Sequence, residues 1–336
     1  MKHRPASSAA VLTALALTRS FSCYAQQPNR FLPGHRTQMD AHNCYPYDGR
    51  WADRIQRALA AGTPLAIEQD LSWYTDPRTG KSWSVVAHSH TLTGHEPTLE
   101  SYFFATVRPI VEQALRQHDT QRWPLITLNL DFKDDKPEHL AYIWRVLEKY
   151  QAWLTTAPRT ADIATMQPLH VGPILVLTGD PDAQQKVFYD DLPVGGRLLV
   201  FGSVHTNTAN PMAAPQVLEP SAANNYRRWW NNPWNVVERG GQNHAGAWTA
   251  ADAARLQALV THAHAEGLWI RFYTLDGAAP ATMQQNGWFA NYNFGSLTQA
   301  ETRWRAAERA HVDYIATDQY RTLAKYLRTL HAEPAR

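Results

Sequence analysis

The sequence predicts an α/β fold, a single (β/α)8 barrel of the TIM type with some distortion. Short apolar runs alternate along the chain with longer stretches of helical periodicity, which is typical of parallel strands joined by crossover helices. No internal repeat or low-complexity linker divides the chain, and polar residues recur at the ends of the apolar runs. A length of 336 residues would also suit two domains, but these observations favour one barrel.

Eight short apolar runs are the predicted strands, and six longer stretches with apolar residues three and four apart are the predicted helices. The predicted strands are residues 37–42, 64–71, 84–88, 125–131, 173–178, 197–203, 268–275 and 312–317. The predicted helices are residues 51–61, 99–117, 137–154, 250–266, 300–310 and 320–330. Residues 207–244 are rich in Asn, Pro and Trp and predict an irregular loop over the barrel mouth, with one short strand near 235–238.

Composition and charge exclude several classes of protein. Hydrophobic residues make up 44% of the chain and charged residues 18%, which excludes a disordered or coiled-coil protein. The formal net charge of +2 is too balanced for a protein whose main task is to neutralise nucleic-acid phosphates. We therefore expect no nucleic-acid partner.

The N-terminus predicts a signal peptide over residues 1–25, followed by the barrel domain over 26–336. A basic start precedes an apolar run at 9–18 and a small-residue cleavage site that ends at Ala25. The run has about half the residues of a membrane-spanning helix, so no such helix is predicted. The expected location is secreted or periplasmic. A buried N-terminal helix and lipid attachment at Cys23 are the alternatives, and cleavage would leave Cys44 as the only cysteine.

Two carboxylates on the second predicted strand point to a cation. Glu68 and Asp70 are two residues apart, so a strand places both side chains on one face. Two like charges side by side are costly unless a cation or a shared proton compensates them. Sites rich in carboxylate oxygens suit Mg²⁺ or Ca²⁺. Pairing of these acids with arginines is the open alternative.

The strand predicted at 125–131 repeats this pattern. Thr127, Asn129, Asp131 and Lys133 alternate with apolar residues, so the polar side chains share one face. In a barrel this face looks toward the ligand-binding end. Asp131 could complete a three-carboxylate metal site, and Lys133 could neutralise a phosphate oxygen as a point charge. A solvent-facing strand is the alternative.

Two histidines follow predicted strands on either side of these acids. His42 and His88 each end an apolar run. A histidine is near its midpoint at neutral pH, so a pair can divide general base and general acid work. Each histidine alone could be structural or a metal ligand. Together with the three carboxylates they form a set that converges from four strand ends.

Six motifs in order along the chain resemble the superfamily of glycerophosphodiester phosphodiesterases and phosphatidylinositol-specific phospholipases C. They are His42-Asn43, Glu68-x-Asp70, Val86-Ala-His88-Ser-His-Thr-Leu-Thr93, Pro97-Thr-Leu-Glu100, Leu128-Asn-Leu-Asp131 and Val312-Asp-Tyr-Ile-Ala-Thr-Asp318. The resemblance implies a (β/α)8 barrel and one divalent cation. It also implies that His42 and His88 act as base and acid and that Glu68, Asp70 and Asp131 ligate the cation. Asn43 resembles the metal-binding Asn of the metal-dependent phospholipases C.

The expected function is a metal-dependent phosphodiesterase, a phosphoric diester hydrolase. Its substrate would be a glycerophosphodiester, a phosphoinositide or another small-molecule or lipid phosphodiester. Asn43-Cys44 stands where glycerophosphodiester phosphodiesterases commonly have Arg-Gly, and the related sphingomyelin-cleaving phospholipases D share the same groups. Reaction type and headgroup therefore stay open. The alternatives are a glycoside hydrolase on a Trp-rich barrel and a ligand-binding barrel without turnover.

Further substrate contacts are expected from two other segments. Arg271 and Tyr273 share one face of a predicted strand and could reach the phosphate, or Arg271 could form an ion pair inside the barrel. Trp230 lies in the irregular segment and could hold a headgroup, contact a membrane peripherally, or pack as a lid. No protein partner is implied.

Overall fold

The computed structural model describes residues 31–46, 52–88 and 91–332. The predicted signal peptide, with Cys23, lies outside the described residues, as do Ser89 and His90 of the motif that follows β3. Within the described part of the chain, no helix combines the length and the apolar character that crossing a membrane requires.

The strands form the barrel, one further hairpin strand and a separate two-stranded sheet. In chain order they are β1 (Gln38–Ala41), β2 (Leu65–Thr75), β3 (Ser82–Val86), β4 (Ile126–Phe132), β5 (Ala157–Pro158), β6 (Ile174–Thr178), β7 (Arg197–Leu198), β8 (Phe201–Ser203), β9 (Arg227–Pro233), β10 (Trp269–Tyr273) and β11 (Tyr314–Thr317).

Helices occupy most of the connections between strands. The α-helices are α1 (Arg54–Leu59), α2 (Ala105–Gln117), α3 (Pro137–Lys149), α4 (Asp182–Gln185), α5 (Pro215–Leu218), α6 (Ala250–Ala265), α7 (Pro280–Asn286), α8 (Leu297–Arg309) and α9 (Tyr320–Ala332). A π-helical turn, Glu100–Phe104, leads into α2, and a second one, Lys186–Asp190, follows α4. Local capping fixes some of the starts: Thr249 and Asp252 form a capping box at α6, and the Ser296 side chain caps α8.

Eight parallel strands close into a barrel, as the sequence predicted. Their order around the barrel is β1-β11-β10-β9-β8-β6-β4-β2, and β2 pairs in turn with β1. Strand β3 pairs antiparallel with β2 as a hairpin, and β5 pairs with β7 in a separate small sheet. The prediction of a parallel barrel strand at 84–88 was therefore wrong, because this segment belongs to a hairpin strand outside the eight-stranded barrel, and the predicted strand at 197–203 divides into β7 and β8.

The prediction for residues 207–244 was wrong in one important part. This segment contains β9, a full barrel strand between β8 and β10, whereas the predicted strand near 235–238 lies in a short 3₁₀ helix, Trp234–Val236, and the turn after it. The polar sequence of β9 hides it, because the partners of its arginines come from other elements. Arg227 donates to the carbonyl oxygen of Asp180, to Gln185 and to Asp182. Strand preference depends strongly on such tertiary surroundings.

Side-chain alternation separates a polar barrel interior from an apolar layer under the helices. In β4, Ile126 and Leu128 are fully buried in the apolar core. Thr127 faces inward, where its hydroxyl lies 2.9 Å from the hydroxyl of Tyr314 on β11. This contact between strands that are not neighbours forms a floor, and the carboxyl ends of the strands open above it.

Candidate active site

A pocket of about 470 Å³ opens at the carboxyl ends of the barrel strands. Parallel barrels present their ligand sites at this end. The residues that line the pocket are His42, Asn43, Glu68, His88, Asn129, Leu130, Asp131, Lys133, Gly179, Trp229, Asn231, Arg271, Tyr273, Phe289 and Tyr292. The pocket thus gathers most of the side chains that the sequence singled out.

Three carboxylates meet at one side of this pocket, which Glu68 and Asp131 line and the buried Asp70 does not. The register of the parallel pair β2 and β4 places Asp70 opposite Asp131, and Glu68 lies two residues before Asp70 on the same face. One oxygen from each of the three lies within 4.8 Å of the other two. Glu68 and Asp70 are buried, and Asp131 is partly exposed. An oxygen-only donor set of this kind fits a divalent cation such as Mg²⁺ or Ca²⁺.

Lys133 holds the carboxylates together. Its Nζ lies 3.0 Å from Oδ2 of Asp70 and 2.7 Å from Oδ2 of Asp131. Burial, followed by the neighbouring charge of Asp131, raises the pKa of Asp70 to about 8. Burial opposes the charged form of Lys133, but the two carboxylates outweigh it and raise the pKa of the ammonium group. The cluster therefore carries more negative charge than its one lysine balances.

Arg271 crosses the barrel as an ion pair, which was the second of its two sequence interpretations. Its Nε donates to Asp40, its Nη2 donates to Oε2 of Glu68 at 2.9 Å, and its Nη1 donates to Asn231 at 3.0 Å. Burial works against the charge of Glu68, but Arg271 and then His42 lower its pKa overall. Arg271 also lines the pocket, so the ion pair does not remove it from the site.

His42 is oriented by a carboxylate from the last barrel strand. Its Nδ1 lies 2.9 Å from Oδ1 of Asp318, and its Nε2 lies 3.7 Å from Oε2 of Glu68. Burial alone would lower the pKa of the imidazole, but Glu68 and Asp318 raise it to about 9. With Nδ1 held by Asp318, Nε2 is the atom that can exchange a proton with a bound ligand.

Asn43 stands next to this pair. Its side-chain nitrogen donates to Oδ1 of Asp318 at 3.2 Å and lies 2.7 Å from Nδ1 of His42. The residue has a φ of 50°, in the left-handed region that Asn tolerates better than most residues. Among the described residues, the Asn43 amide contacts and positions Asp318 and His42. The role of Asn43 as a metal ligand stays a prediction.

His88 reaches the same pocket from the end of the β2–β3 hairpin. Its ring stacks on Tyr45 with centroids 6.3 Å apart and lies 6.1 Å from the ring of Phe289. The two predicted proton-transfer groups, His42 and His88, therefore line one pocket together. Polar groups orient His42, and the rings of Tyr45 and Phe289 pack beside His88.

Of the other predicted substrate contacts, one lies in the pocket and one does not. Tyr273 lines the pocket, and burial raises its pKa to about 12. Trp230 is fully buried outside the pocket, where its indole nitrogen donates to Thr206 at 2.9 Å. Its neighbour Trp229 lines the pocket instead, because successive residues of β9 point to opposite faces.

Several site residues escaped the sequence interpretation. Asp318 ends the last of the six sequence motifs, but no role was assigned to it from the sequence. Its place directly after β11 matches that of His42 directly after β1. Asp40 lies two residues before His42 and therefore on the same strand face, a signal that could have found it. Phe289 and Tyr292 lie just before and at the end of a short 3₁₀ helix, Ala290–Tyr292, with no comparable sequence pattern, so only the structure reveals them.

Known proteins resemble this chain in structure rather than in sequence. No protein-family model and no curated protein sequence matches the chain. Among solved structures, a glycerophosphodiester phosphodiesterase from Parabacteroides distasonis is 14% identical with a TM-score of 0.45, over 89% of this chain and 99% of that one. A calcium-dependent phosphoinositol-specific phospholipase C from Pseudomonas sp is 15% identical with a TM-score of 0.43, over 86% and 90%.

A third similar structure is named neither as a phosphodiesterase nor as a phospholipase. It is a Plasmodium falciparum HPPK-DHPS triple mutant, 9% identical with a TM-score of 0.45, over 90% of this chain and 48% of that one. At these identities and TM-scores the comparisons carry no argument about chemistry, which has to come from the geometry of the site. This chain is similar to the glycerophosphodiester phosphodiesterases and phosphoinositol-specific phospholipase C that its motifs resemble.

Proposed function

We propose that this chain is a secreted, metal-dependent phosphodiesterase acting on a glycerophosphodiester, a phosphoinositide or another phospholipid-type substrate. One observation carries the proposal: two histidines and a carboxylate triad, contributed by β2, β4 and the ends of β1 and β3, meet at one pocket of about 470 Å³, which all of them except Asp70 line. This combination supplies the two things that phosphodiester hydrolysis requires, charge neutralisation at the phosphoryl oxygens and proton transfer to the leaving oxygen.

The balance of charge in the barrel mouth supports the need for a cation. With every group ionised, the five carboxylates of Asp40, Glu68, Asp70, Asp131 and Asp318 face three cationic groups, namely those of His42, Lys133 and Arg271. Two negative charges are in excess, which would repel a phosphodiester anion. A bound dication would cancel this excess and remove the repulsion.

The chain's own residues supply the remaining steps. Glu68, Asp70 and Asp131 would hold the cation, which supplies charge neutralisation on the phosphoryl oxygens when it is bound. Asp318 fixes the His42 ring through Nδ1, so that Nε2 is available for proton transfer. His88 provides the second imidazole, and the two histidines divide the proton transfers to the attacking and departing oxygens. Lys133 and Arg271 add positive charge beside the substrate.

The shape of the pocket fits a headgroup better than a whole lipid. Its volume accommodates a small polar group, and the aromatic rings of Phe289 and Tyr292 line it as well. Tyr292 is 36% exposed and offers apolar surface to a lipid chain or to a membrane surface. We include peripheral membrane contact in the proposal on this basis.

Turnover with and without metal tests the proposal. The chain without residues 1–25 is assayed against glycerophosphodiesters, lysophospholipids, sphingomyelin and phosphatidylinositol. We expect hydrolysis of at least one substrate, its loss in EDTA, and its recovery with Mg²⁺ or Ca²⁺. Phosphorus NMR of the products then distinguishes attack by a substrate hydroxyl, which gives a cyclic phosphate, from direct attack by water. Glycoside hydrolysis that is indifferent to EDTA, with no phosphodiester turnover, would refute the proposal.

Export is tested separately. The basic and apolar N-terminal segments support cleavage after Ala25. We expect the full-length chain, expressed in a bacterial host, to appear in the periplasm or the medium with Gln26 as its first residue in mass spectrometry. Retention of an intact N-terminus inside the cell would contradict this part of the proposal.

A further inference from the structure

We propose that Lys133 is a displaceable internal counter-ion: a divalent cation that binds to Glu68, Asp70 and Asp131 expels the Lys133 ammonium group into the substrate pocket. This inference rests on the proposed metal-dependent phosphodiesterase. It adds an exchange between two cations of the same site, one supplied by the chain and one taken from solution.

Lys133 occupies one oxygen on each of two proposed metal ligands. Its Nζ contacts Oδ2 of Asp70 and Oδ2 of Asp131, at 3.0 and 2.7 Å. Asp70 is 1% exposed, and beyond this ion pair no hydrogen bond to either of its carboxylate oxygens is found among the described residues. A buried carboxylate with a single cationic contact has its lone pairs available to a replacing cation.

The ammonium group and a metal ion compete for these two carboxylates. Mg²⁺ and Ca²⁺ bind carboxylate oxygens at about 2.0 to 2.6 Å, closer than the contacts Lys133 makes now. A dication at that distance from Asp70 and Asp131 would lie within a few ångströms of Nζ and repel it. This repulsion favours the departure of one of the two cations from the carboxylates.

Lys133 has room to move, whereas Arg271 is held by several partners. The Lys133 backbone is fixed, because its N–H donates to the carbonyl oxygen of Leu71 at 2.8 Å. Its side chain is 15% exposed and lines the pocket, and its ammonium group sits at the end of a flexible four-carbon stem. Arg271 is 2% exposed and is held by Asp40, Glu68 and Asn231 at once. Displacement therefore falls on the lysine, and its ammonium group moves toward the bound phosphodiester.

Metal affinity of a matched pair of variants tests the exchange. Lys133→Met keeps the stem and removes the charge, and Lys136→Met makes the same change at an exposed lysine just before α3. Isothermal titration of each metal-free protein with Ca²⁺, and separately with Mg²⁺, is carried out at pH 9, so that the carboxylates are largely ionised. We expect Lys133→Met to bind roughly tenfold or more tightly than the unchanged protein, because the metal no longer has to break two charged contacts.

The control variant should bind like the unchanged protein. Equal or weaker binding by Lys133→Met overturns the inference, while metal-dependent turnover by the unchanged protein would leave the proposed function standing. If the unchanged protein and the variant both fail to bind either metal, the metal dependence in the proposed function fails too.

A crystal structure of the unchanged protein with Ca²⁺ decides the case if Lys133→Met does not fold. We expect Ca²⁺ on the carboxylates and Nζ of Lys133 beyond hydrogen-bond distance from both Asp70 and Asp131. A structure in which Ca²⁺ is bound while Nζ still bridges the two aspartates would overturn the inference.

Discussion

The mouth of the barrel has a charged arc and a neutral arc. Strands β10, β11, β1, β2 and β4 are consecutive in the barrel and contribute the ionisable residues around the site, which are Arg271, Asp318, Asp40, His42, Glu68, Asp70, Asp131 and Lys133. Along β6, β8 and β9, the residues that line the pocket are neutral: Gly179, Trp229 and Asn231. One closed sheet therefore offers two different surfaces to one ligand.

The two arcs have different tasks: the charged arc acts on the reacting group, and the neutral arc holds the rest of the substrate. Charged groups in a partly enclosed site act strongly on a charged reacting centre, so the phosphoryl group belongs at the charged arc. The neutral arc has no group that could exchange a proton near neutral pH. It can shape the space for the rest of the substrate, and Trp229 is its largest surface. Substitutions in the charged arc should therefore act on kcat, and those in the neutral arc on KM.

The largest effect is expected in the charged arc. His42→Gln removes the proton-transfer nitrogen that Asp318 orients, and we expect kcat to fall by about 10² to 10⁴-fold. His170→Gln, at an exposed histidine that does not line the pocket, is the matched control and should leave kcat unchanged. Steady-state kinetics on the best substrate, with circular dichroism to verify folding, makes the measurement. A His42→Gln variant with full kcat would remove the charged arc from the reaction.

An intermediate effect is expected from two neighbouring tryptophans of β9. Trp229 donates to the carbonyl oxygen of Thr178, and Trp230 donates to Thr206, both at 2.9 Å. Trp→Phe at either position removes one hydrogen bond, worth about 1 kcal/mol, and so should lower the melting temperature in both variants. Only Trp229→Phe alters the pocket, and its KM should rise about threefold to tenfold. Equal changes of KM in the two variants would contradict the assignment of Trp229 to the pocket face of β9 and of Trp230 to the opposite face.

The smallest effect is expected at an ion pair away from the mouth. His264 Nε2 lies 3.0 Å from Oδ2 of Asp313, and this hydrogen bond raises the pKa of His264. A raised pKa in the folded state adds stability that is complete below the unfolded pKa of about 6.5 and is lost as pH rises through the folded pKa. His264→Gln should therefore lower the melting temperature at pH 6 and have less effect at pH 9.

The pH profile of kcat provides the contrast for this last variant. His264 pairs with Asp313, which directly precedes β11 and accepts a hydrogen bond from the backbone N–H of Ile270. His264 therefore lies away from the residues that line the pocket. The profile of His264→Gln should match that of the unchanged protein. A melting-temperature difference that grows from pH 6 to pH 9 would contradict the sign of the pKa shift.

The strands and the shared faces of the site carboxylates could be predicted because local geometry determines them. Alternation along β2 puts Glu68 and Asp70 on one face whatever the rest of the chain does, and alternation along β4 does the same for Asp131 and Lys133. Apolar runs and helical periods likewise reflect burial within single elements, so most strands and helices could be located from the sequence.

Tertiary structure alone decided which distant residues meet. Closure of the barrel between β1 and β11 brings Asp318 to His42 across 276 residues of sequence. It also pairs Arg271 with Asp40 and Glu68, and it makes β9 a barrel strand although its own sequence is polar. The physical reason is that a side chain's neighbours along the chain are fixed by backbone geometry, whereas its neighbours across the barrel are fixed only when all eight strands have paired.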